Sequence, residues 1–413
     1  MEKGKRNPVA RLRGSRILTP ELSEFPATAD LVIVGGGIVG AATAFYASRA
    51  GLRTVLVERR AALATLTTPR SLEAFRAQFE DPEEVEMMRE SIAVFEGFAE
   101  AIGIPGYEIS LRQRGYLFVT RESDGLARVK ARVAAQRAMG LADVECLDGE
   151  EARRRFRYLS PDVTAAAFRA RDGWLASHEV TYGFARGSSA RFFVETEVTG
   201  FRVASGRLLG VETNRGSIET PRAVIAAGPY SGKVAALAGI ALPLTPLRRH
   251  RAGIRSHPLI PRDAPMTVEI ETGAHWRPEG PGAYLGWSNA LPEKPREPTD
   301  DLRADWRFPA LVLDAVSQFS PFWAEVVRGL SSSNVTVEAG LYELTPDAKP
   351  IIGPSGAVEG LYFNTGYSGH GVMGSPAGGR LVTDLMLGRR NDRDNPFRVG
   401  RFTDGGGSTK AAL

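Results

Sequence analysis

Three glycines and one acid near the N-terminus carry the clearest chemical pattern in the sequence. Gly35, Gly37 and Gly40 form a G-x-G-x-x-G spacing, and Glu58 ends the next apolar run. Glycines at these places permit a tight turn, a close approach of the backbone to a pyrophosphate, and close packing of helix on strand. Glu58 can accept hydrogen bonds from a ribose 2′-OH and would repel the 2′-phosphate of NADP. The pattern predicts a dinucleotide site and leaves FAD and NAD open.

The predicted strands and helix that would position these residues follow the order of a dinucleotide-binding unit. The apolar run Leu31–Val34 predicts a buried parallel strand, and an Ala-rich helical pattern then extends to Ala50. A second apolar run, Thr54–Val57, leads directly to Glu58. Because strand, turn, helix, strand and acid agree, they support the site more strongly than the glycines alone. The N–H groups at the helix start would hold the pyrophosphate.

The composition is that of an ordinary globular protein, long enough at 413 residues for two domains and with a net charge of only +4. Residues 1–28 include a basic stretch whose charges are not interleaved with aromatic residues, so we expect a disordered tail and no nucleic-acid partner. The C-terminal tail, 393–413, is Gly/Ser-rich after Asp404 and is expected to be disordered there. No stretch is apolar enough for a membrane span.

Cysteine and histidine usage limits the possible cofactors. Cys146 is the only cysteine, which excludes an intramolecular disulfide, a Cys-based zinc site and an iron–sulfur cluster held by this chain. The five histidines show no metal-ligand spacing, so no metal is predicted. One cysteine is consistent with a reducing cytoplasm, which is the location we expect.

Two later segments match a known family together with the glycine turn. One is Ala226-Ala227-Gly228, at the end of a buried run, and the other is 340–353 (GLYELTPDAKPIIG), continued by 366–373 (GYSGHGVM). In this order, over roughly residues 29–390, the segments resemble the D-amino-acid oxidase superfamily of FAD enzymes, particularly its sarcosine oxidase and glycine oxidase branch. The C-terminal pair is the most specific part, and NAD dehydrogenases do not carry it. The resemblance therefore implies FAD.

The family implies an α/β (α+β two-domain) fold, in which a substrate domain on an antiparallel β-sheet is inserted into a Rossmann-like FAD-binding domain. Short β patterns at 108–120 and 245–290 fit the inserted sheet. A meander and a returning strand between 191 and 225 fit the nucleotide domain. The expected division is 29–107, 172–244 and 336–392 for the FAD-binding domain, with 108–171 and 245–335 for the substrate domain.

The resemblance also implies which residues contact FAD. The loop from Gly366 to Met373 would lie against the flavin, with the start of the following helix facing the N1–C2=O edge, where a reduced flavin carries negative charge. The expected cofactor-binding residues are Gly35, Gly37, Ile38, Val39, Gly40, Glu58, Arg59, Arg70, Ser71, Val198, Ala227, Gly228, Gly366, Gly369, His370, Gly371, Val372 and Met373.

The implied chemistry is oxidation of a C–N bond in a small amine or amino acid. A hydride passes to flavin N5, and water hydrolyses the resulting imine. A substrate carboxylate needs a cationic anchor, and Arg76 lies where sarcosine oxidases place one such arginine. The alternative for Arg76 is an ion pair with Glu73 or Glu80. Tyr284 and His370 complete the expected catalytic set, one lining the substrate side and the other polarising substrate or flavin.

Three positions depart from the family pattern. Gly340 or its neighbour stands at the place of the cysteine through which monomeric sarcosine oxidases tether FAD, and Cys146 lies elsewhere, so non-covalent FAD is expected. Met373 replaces a second carboxylate-binding lysine, so the acid is held differently or the substrate is less polar. Tyr284 stands near the place of a lysine that assists oxygen activation. Both O₂ and another electron-acceptor partner therefore remain open.

Alternatives remain for residues and function. Tyr284 and Trp287 are equally compatible with ordinary sheet aromatics, and His370 with a role limited to the shape of its loop. The leading substrates are N-methyl or other secondary amines, D-amino acids and glycine. The same fold could act as a dehydrogenase on an unrelated pathway substrate, or as a flavin-binding subunit or assembly factor with little turnover. A homo-oligomer is also open.

Overall fold

Two large sheets organise the protein, whose computed structural model describes residues 17–18 and 24–402. The strands are β1 (Ile17–Leu18), β2 (Leu31–Val34), β3 (Thr54–Val57), β4 (Ala74–Phe75), β5 (Tyr116–Thr120), β6 (Glu145–Asp148), β7 (Ala165–Arg169), β8 (Gly173–Trp174), β9 (Arg191–Phe193), β10 (Val198–Ala204), β11 (Arg207–Thr213), β12 (Gly216–Glu219), β13 (Ala223–Ile225), β14 (Thr245–Ile254), β15 (Met266–Glu269), β16 (His275–Glu279), β17 (Gly282–Gly286), β18 (Val335–Leu344), β19 (Ile351–Pro354) and β20 (Leu361–Thr365). The helices are α1 (Ile38–Arg49), α2 (Pro82–Glu96), α3 (Phe98–Ile102), α4 (Gly125–Ala138), α5 (Gly149–Arg155), α6 (Ser177–Gly187), α7 (Ser231–Ala236), α8 (Phe308–Phe319), α9 (Phe322–Arg328) and α10 (Gly371–Met386).

The first sheet has the strand order β1-β9-β3-β2-β13-β20-β19. Its neighbours are parallel except β19 and β20, which pair antiparallel. Every residue of β2, β3 and β13 is buried, as expected for short aliphatic runs in a parallel sheet covered on both faces. The helices α1 and α10 pack against each other beside this sheet. The predicted Rossmann-like arrangement is confirmed.

The second sheet has the order β18-β14-β17-β16-β15-β5-β7-β6 and is antiparallel except for the pair β15 and β5. The helices α8 and α9 cover it through a separate core that includes the fully buried Trp276, Phe319 and Trp323. A smaller antiparallel sheet, β10-β11-β12, forms the predicted meander. The mixed architecture with a second, largely antiparallel sheet agrees with the expected fold class.

One predicted domain boundary differs from the strand pairing. The FAD-binding domain was expected to resume at residue 336, but β18 pairs with β14 along its whole length, from Val335 opposite Ile254 to Leu344 opposite Thr245. This strand therefore belongs to the second sheet, and the chain returns to the first sheet only with β19. A strand pattern does not reveal its partner, because non-local pairing decides which sheet it joins. The rest of the division stays a prediction.

The N-terminal segment is partly ordered, contrary to the expectation for residues 1–28. The short strand β1 pairs parallel with β9 at the edge of the first sheet. Phe25 packs edge-to-face on Phe193, with 5.4 Å between ring centroids. The disorder expected elsewhere in this segment concerns residues 1–16 and 19–23, which lie outside the described residues.

The C-terminal segment also begins inside the fold, although 393–413 was expected to be a tail. Phe397 is buried, and Arg401 forms an ion pair with Asp347 at 2.7 Å. The disorder expected after Asp404 falls outside the described residues. Among the helices of the described part of the chain, none has both the length and the apolar character needed to cross a membrane.

Candidate cofactor and substrate site

A cavity of about 690 Å³ opens at the carboxyl ends of β2, β3 and β13, and we call it the large cavity. This volume is within the range of roughly 300–1,000 Å³ that is usual for small-molecule sites. The predicted cofactor residues Gly40, Gly366, His370 and Met373 do not line it. The predicted residues that do line it are Gly35, Gly37, Ile38, Val39, Glu58, Arg59, Arg70, Ser71, Val198, Ala227, Gly228, Gly369, Gly371 and Val372.

The glycine turn is required by the close approach of three backbone segments. Gly35 has a φ of 113°, and a Cβ at this position would lie 2.5 Å from the carbonyl oxygen of Ala226 at the end of β13. A Cβ on Gly40 would lie 1.9 Å from the carbonyl oxygen of Gly35. Both contacts exclude a side chain, because backbone atoms cannot move aside cheaply. Gly40 therefore acts through helix packing rather than through the cavity wall.

Two helix starts border the large cavity without a cap from the preceding side chain. Gly37 precedes α1 and has no side chain, and the His370 side chain, which precedes α10, accepts no hydrogen bond from its helix. At the start of α1 the Thr68 hydroxyl accepts a hydrogen bond from the Ile38 N–H at 3.4 Å. Ile38, Val39, Gly371 and Val372 line the cavity at these starts. The positive ends of two helices thus border one cavity, which favours a ligand with a pyrophosphate and an electron-rich ring edge.

Glu58 is held by backbone donors at the end of β3. Its Oε2 accepts a hydrogen bond from the Gly36 N–H at 2.7 Å, and its Oε1 accepts one from the Arg60 N–H at 2.8 Å. Burial raises the pKa of Glu58, although these N–H groups and the neighbouring arginines act in the opposite direction. Each carboxylate oxygen retains acceptor capacity for a ribose hydroxyl.

A loop from the second half of the chain ties three residues of the cavity wall together. The Asp300 carboxylate accepts hydrogen bonds from Arg59, from Arg60 at 2.6 Å and from the Tyr230 hydroxyl at 2.6 Å. We call this arrangement the Asp300 clasp. Burial raises the pKa of Asp300, but the hydrogen bonds from Arg59 and Tyr230 and the positive charges outweigh it and lower the pKa to about 2. Sequence reasoning missed the clasp, because no local pattern links residues so far apart.

A smaller cavity of about 80 Å³, the inner cavity, adjoins the large one. The residues that line both cavities are Ser71, Leu72, Tyr342, Gly369 and Val372. The predicted residues Arg76, His370 and Met373 line the inner cavity, together with Tyr116 and His275. The two cavities thus meet at the loop that was expected to lie against the flavin.

Arg76 is a buried cation in the wall of the inner cavity. It is 8% exposed, donates a hydrogen bond to the carbonyl of Gln78, and lies 4.0 Å from the ring centroid of Phe79. Within the described residues no carboxylate lies at ion-pair distance from Arg76. Glu73 instead accepts a hydrogen bond from Ser177 at 2.6 Å. The alternative ion pair with Glu73 or Glu80 is therefore absent from this structure.

Two histidines in this wall are neutral at physiological pH. Burial and the Arg76 guanidinium lower the pKa of His370 to about 3. Burial lowers the pKa of His275 to about 4, and its Nδ1 lies 2.7 Å from the Gly273 carbonyl, which selects the tautomer with a proton on Nδ1. His275 gave no signal in the sequence, because its neighbours in the cavity come from distant segments.

The structure does not bring Tyr284 to either cavity, contrary to its predicted place on the substrate side. Its ring lies under the guanidinium groups of Arg251 and Arg277, at 4.1 and 4.9 Å from their central carbons. These arginines donate hydrogen bonds to the carbonyls of Ser71 and Leu72 and so hold the loop shared by the two cavities. Tyr284 therefore supports the loop from the sheet, one layer behind the cavity wall.

Trp287 lies outside the lining of both cavities as well. Its Nε1 donates a hydrogen bond to the carbonyl of Thr272 at 2.9 Å, and it packs against the core of the second sheet. These contacts agree with the alternative that it is an ordinary sheet aromatic.

Two ionisable side chains in the large cavity were not anticipated. The Nε of Arg249 is buried without a hydrogen-bond partner, and Arg249 lies opposite Gly340 across the β14–β18 pair. Glu343 is 9% exposed, and burial raises its pKa to about 7. In the described part of the chain, no group of three or more His, Cys, Asp or Glu residues could hold a metal ion.

A family model described as FAD dependent oxidoreductase, DAO, matches residues 30–385. The chain belongs to the DAO family of FAD-dependent oxidoreductases. The resemblance drawn from the Gly35–Gly40 turn and the C-terminal segments is thereby confirmed, and so is FAD as the cofactor.

This DAO-family chain is similar to several named proteins along most of its length. FAD-dependent oxidoreductase domain-containing protein 1 from Bos taurus is 28% identical over 428 residues, which cover 91% of this chain and 85% of that protein. Sarcosine oxidase subunit beta from Arthrobacter sp is 26% identical, with 91% of each chain covered. The crystal structure of L-proline dehydrogenase from P. horikoshii is 27% identical, with a TM-score of 0.81 over 92% of this chain and 99% of that one.

The residues of this DAO-family chain fit FAD held without a covalent bond. Gly340 lines the large cavity but has no side chain to form a tether. Cys146 lies on β6, at the edge of the second sheet. His250 lines the large cavity, but its Nε2 accepts a hydrogen bond from the Asp305 N–H at 3.1 Å and its ring stacks on Phe308. None of these three residues therefore offers the flavin a side chain for a covalent bond.

Proposed function

We propose that this oxidoreductase oxidises a C–N bond in a small amine that also carries a carboxylate. The observation that supports this most directly is Arg76, a buried guanidinium without a carboxylate partner in a cavity that adjoins the FAD cavity. An unpaired buried cation is costly, and a bidentate substrate carboxylate would compensate it. The small volume of the inner cavity, about 80 Å³, favours a substrate with few heavy atoms.

Secondary amino acids are the favoured substrate class within this proposal. Two relatives are named for sarcosine and for L-proline, and both compounds carry a secondary amine next to a carboxylate. Glycine and D-amino acids remain alternatives, because a glycine oxidase from Bacillus cereus shares the fold with a TM-score of 0.75 at 22% identity. The inner cavity would then orient the substrate through its acid and leave the amine carbon towards the shared wall.

The residues of the inner cavity have separable roles in this reaction. FAD, when bound, supplies the hydride acceptor, and the resulting imine is hydrolysed by water. Arg76 would fix the substrate carboxylate. Phe118, Met266 and Met373 give the cavity a largely apolar, buried lining that excludes water. The neutral His275 and His370 add no positive charge, which favours the unprotonated amine that hydride loss requires.

The electron acceptor is the open part of the proposal. Tyr284 stands near the place of the family's oxygen-activating lysine, but the guanidinium groups of Arg251 and Arg277 lie over its ring. We therefore keep both O₂ and a separate acceptor in the proposal. The cytoplasmic location also stays an expectation, and it rests on the single cysteine.

An anaerobic amine panel tests the proposed function. The FAD-loaded protein is mixed with sarcosine, L-proline, glycine or D-alanine, and the flavin absorbance near roughly 450 nm is followed. Dimethylamine and pyrrolidine are the matched controls, because they keep the secondary amine and lack the carboxylate. We expect bleaching with at least one of the acids and none with its matched amine. Readmission of O₂, or addition of an artificial acceptor, then identifies the oxidant that restores the colour.

No bleaching with any member of the panel would contradict the proposal. It would favour the alternative of a flavin-binding subunit or assembly factor with little turnover. Bleaching by pyrrolidine as fast as by L-proline would remove the carboxylate from the substrate class.

A further inference from the structure

A third cavity, of about 330 Å³, lies beside α4 and shares no lining residue with the other two. We call it the Arg132 cavity. Its polar lining residues include Arg132 and Gln136 of α4 and Glu80, and its apolar walls include Val129 and Met139. This combination of a few polar groups within apolar walls is usual for small-ligand sites.

Arg132 has no polar partner in the described residues. Its Nε is buried and unbonded, and no ion pair involves its guanidinium. Its central carbon lies 4.7 Å from the ring centroid of Phe118, so one side of the group is covered by an aromatic ring. Burial and the Arg76 guanidinium lower the pKa of Arg132 to about 10, and the nearby Glu80 carboxylate acts in the opposite direction, so the group stays charged at neutral pH. Because no acceptor bonds to the guanidinium directly, an anionic ligand in contact with it would offset more of its desolvation.

Gln136 offers an acceptor one turn further along the same helix. It is 1% exposed, and its Nε2 donates a hydrogen bond to the Phe79 carbonyl at 3.2 Å. That bond orients the amide and leaves Oε1, which is buried, without a donor. Glu80 is exposed, and its carboxylate makes no hydrogen bond or ion pair with the described residues. Arg128 and Glu271 also line the cavity, but they face each other at 3.6 Å. Among the lining residues, Arg132 is thus the cation without an ion pair, and Gln136 Oε1 and Glu80 are free acceptors.

We infer that the Arg132 cavity is a second binding site, which takes a small α-amino acid as its zwitterion. The carboxylate would bind Arg132, the ammonium group would donate to Gln136 Oε1 and Glu80, and an aliphatic side chain would pack on Val129 and Met139. A free carboxylate would leave the acceptors unused, and a free amine would leave Arg132 unpaired. This inference does not rest on the proposed oxidation, because the inner cavity contributes nothing to it.

The site lies directly behind the substrate anchor of the inner cavity. Arg76 and Arg132 both lie over the Phe118 ring, with their central carbons 5.4 and 4.7 Å from its centroid. Phe79 also contributes to both surroundings, because it lies under Arg76 and lines the Arg132 cavity. A ligand on Arg132 is thus separated from Arg76 by aromatic rings rather than by solvent.

Calorimetric titration of the oxidised, FAD-loaded full chain tests this inference. L-Leucine is compared with 4-methylpentanoate, which lacks the amine, and with 3-methylbutylamine, which lacks the carboxylate. We expect L-leucine to bind at least about tenfold more tightly than either, because each analogue leaves a buried polar group unpaired. Arg132→Met should weaken L-leucine binding at least about tenfold, and Arg132→Lys should restore part of it. Lys130→Met is the matched control on the exposed face of the same helix and should bind like the wild type.

Three results would overturn the inference. They are no binding of L-leucine to the wild type, equal binding of 4-methylpentanoate, and unchanged binding to Arg132→Met. A crystal structure with L-leucine decides the location independently of the variants, since ligand density in the Arg132 cavity supports the site and density confined to the inner cavity refutes it. Flavin bleaching in the amine panel reports on the proposed function alone, so the two failures are distinguishable.

Discussion

The large cavity and the inner cavity are neighbours, but backbone atoms form most of the first and side chains form most of the second. The large cavity is formed mostly by backbone at strand ends and helix starts, where Gly35 meets Ala226 and where α1 and α10 begin. The inner cavity is formed by side chains from separate segments, among them Arg76 and His275. A backbone site binds what many relatives share, whereas a side-chain site sets what each one oxidises.

The largest expected effect tests the backbone character of the large cavity. Gly35→Val places a branched side chain at a φ of 113° and against the Ala226 carbonyl, so FAD binding should weaken about a hundredfold. FAD content after purification and its dissociation constant measure this. Gly232→Ala is the control, because a Cβ there would meet no atom within 4 Å. Full FAD occupancy in Gly35→Val would show that the turn is not under steric constraint.

A smaller effect is expected from the inner cavity. Arg76→Met removes the cation, and KM for the acidic substrate found in the panel should rise about ten- to a hundredfold, because a hydrogen bond to a buried charged group contributes about 1.5–3 kcal/mol. The FAD content should stay unchanged, which separates the two cavities. Arg114→Met, the same change at an exposed arginine, serves as the control in steady-state kinetics. An unchanged KM would exclude Arg76 as the anchor.

The smallest effect on ligand binding is expected for the acid Glu343 in the wall of the large cavity, where the change falls on stability. The pKa of Glu343 rises from 4.5 to about 7 on folding, so the stability linked to its bound proton is complete at low pH and is lost as the pH rises through about 7. Glu343→Gln should therefore gain roughly 2–3 kcal/mol relative to the wild type between pH 5 and pH 8, because each unit of pKa shift corresponds to about 1.4 kcal/mol. Thermal unfolding across this range measures the gain, with the exposed Glu325→Gln as control. Parallel pH curves for wild type and Glu343→Gln would contradict the buried, protonated acid.

The same contrast explains how much could be predicted from the sequence. The Rossmann-like half, its glycine turn and the lining residues near α1 and α10 follow local patterns, because each pattern contains both the element and the group it positions. The boundary at 336 failed, since β18 pairs with a strand that its own residues do not specify. Long-range register depends on packing that no single window contains.

The inner cavity was predictable only through the family. Arg76 and Met373 were found because relatives mark those positions, and the structure places both in the cavity wall. The resemblance assigned no role to His275. It placed Tyr284 on the substrate side, but alternation along β17 and the guanidinium groups of Arg251 and Arg277 set the surroundings of Tyr284. In the sequence Arg132 is one basic residue among several on an amphipathic helix, and only its buried, unbonded Nε distinguishes it in the structure.

The Asp300 clasp affects the rate at which the cofactor enters and leaves rather than its affinity. Because Arg59, Arg60 and Tyr230 are tied to one carboxylate, widening that part of the cavity wall requires a local opening in which several charged contacts break together. The residence time of the cofactor is then governed by how often this opening occurs.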